Sequence, residues 1–508
     1  MLRLTALFIL CIFAGAAYAG PGFAGLKPGP HGVGFRVVKQ YDYSRTYKEK
    51  IDLVSGLPAV GERARPLQTL VWYPAPKAGT PVRYADYLRT EATDEVFERS
   101  TAEIDGFVAA KLRRAGAALG AKQAQAVFEQ RMWAVRDAAA SSGKFPVVIY
   151  APGRGGTAHE LADIGEYLAG HGYVVLASRS LGTRTPLMNT DREGIDTQVR
   201  DLQFLLAYAQ SLPQADLAHV AAVGWSWGGM VNVFTAAQDS RITALVSFDG
   251  TREPEFTRQI DPARVALPWL YIQKRAQTVS ELSREGIETS FSLLNALKYS
   301  NVYQVVMNPM EHFDFSSALL RVAPSEHFVE YSRAEVEAAY HWTCRYTLEF
   351  LNAYLKGDAA GVAFLERPPA QNGVPLHTAR MQHTPAQTGP LPTHAGFAVA
   401  LAARGFGHAL EVYRQIQQQD TSFSLSEGTI NIWGYQLMSA HNLPAALAIF
   451  QLGTTLYPSS ANLFDSLGEA EENNHDTPAA IQHYRRSLEL NPGNTNARQR
   501  LQALAAAK

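Results

Sequence analysis

One serine in a glycine-rich turn is the strongest candidate for chemistry in this sequence. Ser226 stands at the centre of "GWSWG", a G-x-S-x-G pattern. The apolar stretch "AHVAAVGW" predicts a buried strand before it, and "GGMVNVFTAAQD" predicts a helix that opens on glycines. A serine on a sharp strand-to-helix turn is typical of a nucleophile that attacks acyl groups. The alternative interpretation is a structural turn that happens to hold a serine.

An acyl-transfer serine needs a base and an acid, and in this arrangement they follow in the order serine, acid, histidine. His312 follows the predicted strand "NVYQVVMN", where the base is expected; its alternative is an ordinary loop histidine. Asp249 ends the predicted strand "ALVSFDG" and is the favoured acid, although it could simply begin an Asp-Gly turn. The loop after "LPWLYIQ" offers no aspartate, only Glu281 and Glu285 as alternative acids.

The negative oxygen that forms on attack needs two backbone N–H donors. Trp227, the residue after the serine, is predicted to supply one of them. The loop "PGRGG" after the predicted strand "FPVVIYA" is predicted to supply the other. Pro152 has no N–H, so the amide of Arg154 is the expected donor in that loop.

Metal ligation and disulfide formation are two other possible uses of the reactive side chains. Glu311, His312 and Asp314 could in principle bind a metal, but neighbouring residues in an extended chain point to opposite sides. We therefore predict no metal and no cofactor. The two cysteines, Cys11 and Cys344, are too few for a disulfide framework or a cysteine-rich zinc site.

The segments around these residues follow one another in a familiar order: "YAPGRGG", "LAGHGYVVLASRS", "GWSWGG", "SFDG" and "EHFDFSS". Over roughly residues 33 to 357 this order resembles the family of platelet-activating-factor acetylhydrolases and dienelactone hydrolases, within the wider α/β-hydrolase group that also holds bacterial polyester hydrolases. The resemblance implies an ester hydrolase without a cofactor. The acetylhydrolase branch carries its acid after the strand that follows the nucleophile, which supports Asp249.

The sequence differs at two points from the families that it resembles. Dienelactone hydrolases proper use a cysteine nucleophile, so Ser226 argues against that particular activity. The acetylhydrolase branch usually opens its glycine turn with a histidine, where this chain has Pro152. This second difference lies in the loop that is predicted to supply the second oxyanion donor.

The strands and helices expected around these residues indicate an α/β-hydrolase domain over residues 20–365. Strands and helices alternate from residue 144 onward, which predicts a mostly parallel sheet with helices on both faces. An opening pair of strands is predicted within residues 33 to 75. Residues 82–143 are alanine-rich with helical spacing and predict an insertion that lines the substrate entrance, with Trp133 in an apolar wall that accepts the acyl group.

The tail predicts a separate all-α module that resembles tetratricopeptide repeats. Residues 366–395 are rich in proline and predict a linker or an extended strap, and residues 396–508 carry a period of 34 residues. Ala409 and Tyr413 suggest an earlier, degenerate unit. The matched positions are Gly434, Pro444, Ala445, Ala446, Phe450, Leu456 and Pro458, followed by Gly468, Pro478, Ala479, Ala480, Tyr484, Leu490 and Pro492.

The first residues predict export. Arg3 precedes a short apolar run, and Ala17-Tyr18-Ala19 fits a cleavage site after Ala19, so residues 1–19 are interpreted as a signal peptide. We expect a periplasmic or secreted protein with no transmembrane segment after processing. The net charge of −1 gives no reason to predict a nucleic-acid partner.

Together these features predict an exported serine hydrolase that cleaves short-chain or lipid-like carboxylic esters through a Ser-His-Asp triad and an acyl-enzyme. Its expected partners are a small-molecule or lipid-like ester and, through the repeat module, a protein or a second copy of the chain. Two alternatives stay open at this point. One is a catalytically weak scaffold that binds partners through its repeats, and the other is a serine peptidase of the same fold.

Overall fold

The chain divides into two units, Met1–Ala386 and Gln387–Lys508. The computed structural model describes residues 22–52, 55–250, 254–284 and 288–506. The predicted signal peptide, residues 1–19, lies outside the described residues. No helix within these described ranges is long and apolar enough to cross a membrane.

One mixed sheet forms the centre of the first unit. Its strands are β1 (Gly32–Thr46), β2 (Ala64–Ala75), β3 (Ala134–Arg136), β4 (Phe145–Ala151), β5 (Val174–Ser178), β6 (Ala215–Trp225), β7 (Ala244–Phe248), β8 (Trp269–Gln273), β9 (Val302–Met307) and β10 (Ala379–Thr384). Their order is β10-β9-β8-β7-β6-β4-β5-β2-β1-β3. The strands from β5 to β9 in this order run parallel, while β2 and β10 join them antiparallel.

Helices cover both faces of this sheet. They are α1 (Tyr84–Glu91), α2 (Thr101–Leu119), α3 (Ala121–Glu129), α4 (Ala162–Gly170), α5 (Arg192–Ala209), α6 (Trp227–Gln238), α7 (Pro254–Thr257), α8 (Val279–Arg284), α9 (Leu293–Ala296), α10 (Ser317–Arg321), α11 (Arg333–Leu355) and α12 (Ala359–Glu366). Alternate residues of β4 point to opposite faces. Val148 and Tyr150 pack in the core with α4 and α11, whereas Val147 and Ile149 pack in the core with α5 and α6. The predicted α/β-hydrolase fold is confirmed.

The segment 82–143 contains α1, α2 and α3. A buried carboxyl group on α4 ties the two ends of this segment to the domain. Glu166 accepts hydrogen bonds from the Tyr87 hydroxyl and the Trp133 N–H, both at 2.6 Å, and from the Ala134 N–H at 3.1 Å. Burial raises the pKa of Glu166 to about 7. The insertion is therefore anchored from beneath through hydrogen bonds to one side chain.

Residues 366–395 were predicted to be a linker or an extended strap, but the structure has a strand within them. Residues 379–384 form β10, which pairs antiparallel with β9 and places Gln382 opposite Gln304. The division between the two units falls after Ala386. The edge of β9 offers unpaired backbone groups, and an extended chain without proline at these positions satisfies them. Composition alone did not distinguish this edge strand from a free linker.

The second unit is all-helical and fits a tetratricopeptide-like arrangement. Its helices are α13 (His394–Arg404), α14 (Ala409–Gln419), α15 (Glu427–Ser439), α16 (Leu443–Leu456), α17 (Ala461–Asn473), α18 (Thr477–Leu490) and α19 (Thr495–Ala506). The repeated glycine marks a close helix crossing. A Cβ at Gly434 would lie 2.4 Å from the Phe450 ring, and one at Gly468 would lie 3.0 Å from the Tyr484 ring. The period of 34 residues thus has a packing cause: a large ring in the second helix needs a glycine opposite it.

Candidate active site

Ser226 occupies the turn between β6 and α6, and its backbone is strained. Its φ of 55° and ψ of −124° lie in a region that residues with a side chain rarely adopt. The Ser226 N–H donates to the carbonyl of Phe248 at 2.9 Å, which fixes the turn to β7. Glycine is required at Gly228, because a Cβ there would lie 2.0 Å from the carbonyl oxygen of Ala151. Local sequence and neighbouring strands together hold the serine at the carboxyl end of β6.

Three predicted residues from distant parts of the sequence meet at this turn. His312 Nε2 lies 2.8 Å from Ser226 Oγ, and His312 Nδ1 lies 2.7 Å from Asp249 Oδ2. An ionised carboxylate only accepts hydrogen bonds, so it holds the histidine proton on Nδ1 and leaves Nε2 free to accept from the serine hydroxyl. The arrangement can therefore move a proton from serine to histidine.

Asp249 is fixed at the end of β7 by several contacts. Its side chain is 2% exposed, and its Oδ1 accepts from the N–H of Lys274 at 3.2 Å. Its own N–H donates to the carbonyl of Ile272 at 2.7 Å. Its φ of 45° lies in the left-handed region, where aspartate is tolerated better than most residues. The carboxylate is consequently immobilised toward His312.

Glu281, one of the two alternative acids, does not join this group. Glu281 lies on α8, where its carboxylate accepts from the Thr278 N–H at 2.7 Å and from the Thr278 hydroxyl at 3.0 Å. It therefore caps its own helix. Glu285 lies outside the described residues. Of the two candidate positions for the acid, the structure brings Asp249 to the histidine.

The two predicted oxyanion donors lie beside Ser226. Trp227 begins α6, so its N–H is among the unsatisfied donors at a helix N-terminus, where the helix dipole favours negative charge. Arg154 lies in the glycine loop, and a Cβ built on the preceding Gly153 would lie 3.5 Å from the Ser226 Cβ. Within the described ranges, the backbone N–H groups of Arg154 and Trp227 donate to no other residue. Both are available to a ligand oxygen.

The tryptophans that flank the serine pack on the surrounding structure. The Trp225 ring lies 5.4 Å from the His312 ring, and its Nε1–H donates to the His312 carbonyl at 2.9 Å. The Trp227 ring contacts Phe256 edge to face, at 5.9 Å between centroids. Trp225 thus helps to hold the histidine, and neither ring obstructs the turn.

Sequence reasoning missed one buried residue of this site. Glu160 Oε1 accepts from the Tyr150 hydroxyl at 2.7 Å and from the Gly153 N–H at 3.1 Å, so it supports the loop that carries Arg154. Burial raises the pKa of Glu160 to about 7. In the sequence, Glu160 stands in "AHELADIGEYLAGHG", which predicts an ordinary helix. Its partners come from β4 and the loop, which helical spacing does not reveal.

A cavity of about 560 Å³ adjoins this site. The residues that line it are Tyr84, Leu88, Glu91, Lys111, Arg114, Ala115, Ala118, Phe128, Arg154, Gly155, Gly156, Thr157, His159, Glu160, Trp225, Phe313, Ser316, Ala318, Leu319 and Val322. One group comes from the helical insertion and another comes from the neighbours of the serine and the histidine. The insertion therefore borders the cavity beside the nucleophile, mostly with apolar side chains.

Trp133, which was expected in the apolar wall of this entrance, has a different place. It is 4% exposed and packs in the core of the domain, and it is not among the residues that line the cavity. Its N–H is held by Glu166 at 2.6 Å. The prediction for this residue was wrong, because Trp133 directly precedes β3, where the chain joins the sheet.

The three residues that could in principle bind a metal contact separate partners. The Glu311 carboxylate accepts from Arg275 Nε at 2.8 Å. The Asp314 carboxylate accepts from the Glu311 N–H at 2.7 Å and lies 2.6 Å from His327 Nε2. His312 faces Ser226 and Asp249. These contacts stabilise the loop that presents His312.

The sheet, the helices on both faces and the serine turn define the first unit as an α/β-hydrolase. Residues 133–290 match the model of the dienelactone hydrolase family. The predicted resemblance to that family is thereby confirmed over this segment, which contains Ser226 and Asp249 and ends before His312. The match indicates a hydrolase.

A ferulic acid esterase from Streptomyces cinnamoneus is similar at a TM-score of 0.49 and 18% sequence identity, over 72% of this chain and 100% of that chain. No curated protein matches the sequence.

Proposed function

We propose that this protein is a serine hydrolase that cleaves carboxylic esters. The observation that carries the proposal is the pair of contacts that links Ser226 to His312 and His312 to Asp249, at 2.8 and 2.7 Å. A serine hydroxyl is a poor nucleophile until a base accepts its proton, and the imidazole is an effective base when a carboxylate holds its tautomer.

The proposed reaction has two halves. In the first, Ser226 Oγ attacks the ester carbonyl carbon while His312 Nε2 takes the serine proton. The N–H groups of Arg154 and Trp227 stabilise the negative oxygen, and His312 returns the proton to the leaving alcohol. In the second half, His312 takes a proton from water while the water oxygen attacks the acyl carbon. The bond between that carbon and Ser226 Oγ then breaks, His312 returns the proton to Ser226 Oγ, and the acid is released. The mainly apolar lining of the cavity favours short-chain or lipid-like esters.

A fluorophosphonate probe tests the proposed nucleophile. The wild-type protein should become covalently labelled at Ser226, because the probe reacts with a serine whose proton is taken by a neighbouring base. Mass spectrometry of the peptide that contains "GWSWGG" locates the label. Folded protein that stays unlabelled would instead favour a scaffold that binds partners through its helical repeats.

Glu160 is proposed as a positioning residue for the oxyanion donors. Replacing Glu160 by alanine removes the acceptor of the Gly153 N–H, so the loop with Arg154 should lose its fixed geometry. We expect kcat for a short-chain nitrophenyl ester to fall roughly 100-fold with a much smaller change in KM, because the lost interaction acts on the transition state. Glu160→Gln keeps an acceptor oxygen and should recover most of the activity.

Glu166→Ala is the matched control, since Glu166 is equally buried nearby but holds the insertion instead of the glycine loop. Both alanine variants should lower the thermal midpoint of unfolding. Only Glu160→Ala should combine that loss with a large fall in kcat. An unchanged kcat in folded Glu160→Ala would assign Glu160 to stability alone.

A further inference from the structure

The mainly apolar wall of the cavity beside the nucleophile carries a buried histidine. His159 lines the cavity, and its side chain is 5% exposed. Within the described ranges, its buried Nδ1 has no hydrogen-bond partner, and its Nε2 faces Glu91 Oε2. Buried polar groups are normally hydrogen-bonded, so an imidazole with an unpartnered nitrogen at a cavity wall is a candidate contact for a ligand or water. Burial lowers the pKa of His159 to about 4, so the ring is neutral at physiological pH.

Glu91 lies next to His159 on the same wall. Its Oε1 is taken by Lys111 Nζ at 2.7 Å, whereas its Oε2 has no hydrogen-bond partner within the described ranges. Oε2 and His159 Nε2 are 3.7 Å apart, which is too far for a direct hydrogen bond. One oxygen atom at about 2.8 Å from each of them would bridge the gap.

The hydrogen-bonding needs of Glu91 and His159 identify the functional group to which this oxygen belongs. The Glu91 carboxylate needs a donor, and a neutral imidazole whose Nε2 faces a carboxylate carries its proton there and needs an acceptor. A hydroxyl group meets both demands with a single oxygen. A carboxylate would be repelled by Glu91, and an ammonium group would be repelled by Lys111 and could not accept from the imidazole.

We propose that His159 and Glu91 form a subsite for a hydroxyl group carried by the substrate. The inference rests on the proposed esterase function and narrows its substrate class to esters whose apolar part bears a neutral hydroxyl. The rings of Tyr84 and Phe128 belong to the same cavity lining and suit an aromatic apolar part.

Matched ester pairs test this subsite. Methyl esters of phenyl-substituted acids are compared with their counterparts that carry one ring hydroxyl, while the spacer between ring and carboxyl is lengthened carbon by carbon. At the fitting length, we expect kcat/KM to be about tenfold higher for the hydroxylated ester, because the analogue leaves buried polar groups unpaired. The ratio should fall to near one in Glu91→Gln and in His159→Phe.

Asp105→Asn is the control, since this exposed carboxylate of α2 is not among the residues that line the cavity, and the variant should keep the wild-type ratio. A wild-type ratio near one at every spacer length would overturn the subsite and assign its place to an ordered water. A high ratio that survives in both Glu91→Gln and His159→Phe would also overturn it.

Binding separates this inference from the esterase proposal. If the wild-type protein hydrolysed none of these esters, the proposed function would fail for this class. Calorimetry on Ser226→Ala would still measure whether the hydroxylated acids bind more tightly than their unsubstituted counterparts. Equal affinities would reject the subsite without any reference to turnover.

Discussion

Replacing Ser226 by alanine is expected to lower kcat for short-chain nitrophenyl esters by roughly a factor of one million. His312→Ala should cost a similar factor, because the hydroxyl and its base act as one unit and removal of either disables both. The measurement is steady-state hydrolysis, with circular dichroism to establish that each variant is folded. Both residues are only partly buried, so we expect little change in the free energy of unfolding.

The double variant of Ser226 and His312 sharpens this test. Its activity should fall little further than that of either single variant, because the losses of residues that act together are not additive. Full activity in folded Ser226→Ala would reduce the glycine turn to a structural feature. The binding-scaffold alternative would then be the better account of the protein.

Asp249→Asn should lower kcat by roughly 10⁴-fold. The asparagine amide matches the carboxylate in size but carries no charge, and it can donate to Nδ1 and so stabilise the wrong histidine tautomer. Hydrolysis of the same nitrophenyl ester measures the loss. The buried position of Asp249 makes a thermal unfolding measurement necessary beside the kinetics.

Glu281→Gln is the matched control for this substitution, because it makes the same chemical change in the other loop considered for the acid. Glu281 caps α8 through Thr278, and its replacement should leave kcat nearly unchanged. A large loss in Glu281→Gln together with an active Asp249→Asn would move the acid to that loop. It would also mean that the contact between Asp249 and His312 is dispensable.

The parts of the site that were predictable are those with a local cause. The nucleophile turn is specified by residues next to Ser226, since the strand before it, the glycines around it and the helix after it are all contiguous in sequence. Asp249 and His312 could be predicted because each lies at or after the end of a predicted strand. The carboxyl ends of parallel strands meet at one edge of a sheet. Chain order then assigned their places in the group.

The features that the sequence did not predict depend on contact partners that are distant in the sequence, or on whether an apolar side chain lies in a cavity wall or in the core. Glu160 sits in a segment of helical pattern, and its role arises because β4 and the glycine loop present two donors to it. Trp133 is apolar enough for a cavity wall and for a core, and composition does not separate the two. The strand at residues 379–384 formed because the edge of β9 was open to it.

The sequence by itself determined which chemistry was available and in what order its residues come. Alternating strands and helices led to the α/β-hydrolase fold, and a period of 34 residues led to the helical repeats. Tertiary structure alone decided which acid reaches His312, that Glu160 supports the oxyanion loop, and that His159 and Glu91 share one wall of the cavity. The physical reason is range: backbone propensity and periodicity act over neighbouring residues, whereas burial, desolvation and hydrogen-bond partnership depend on which side chains the fold brings within a few ångströms.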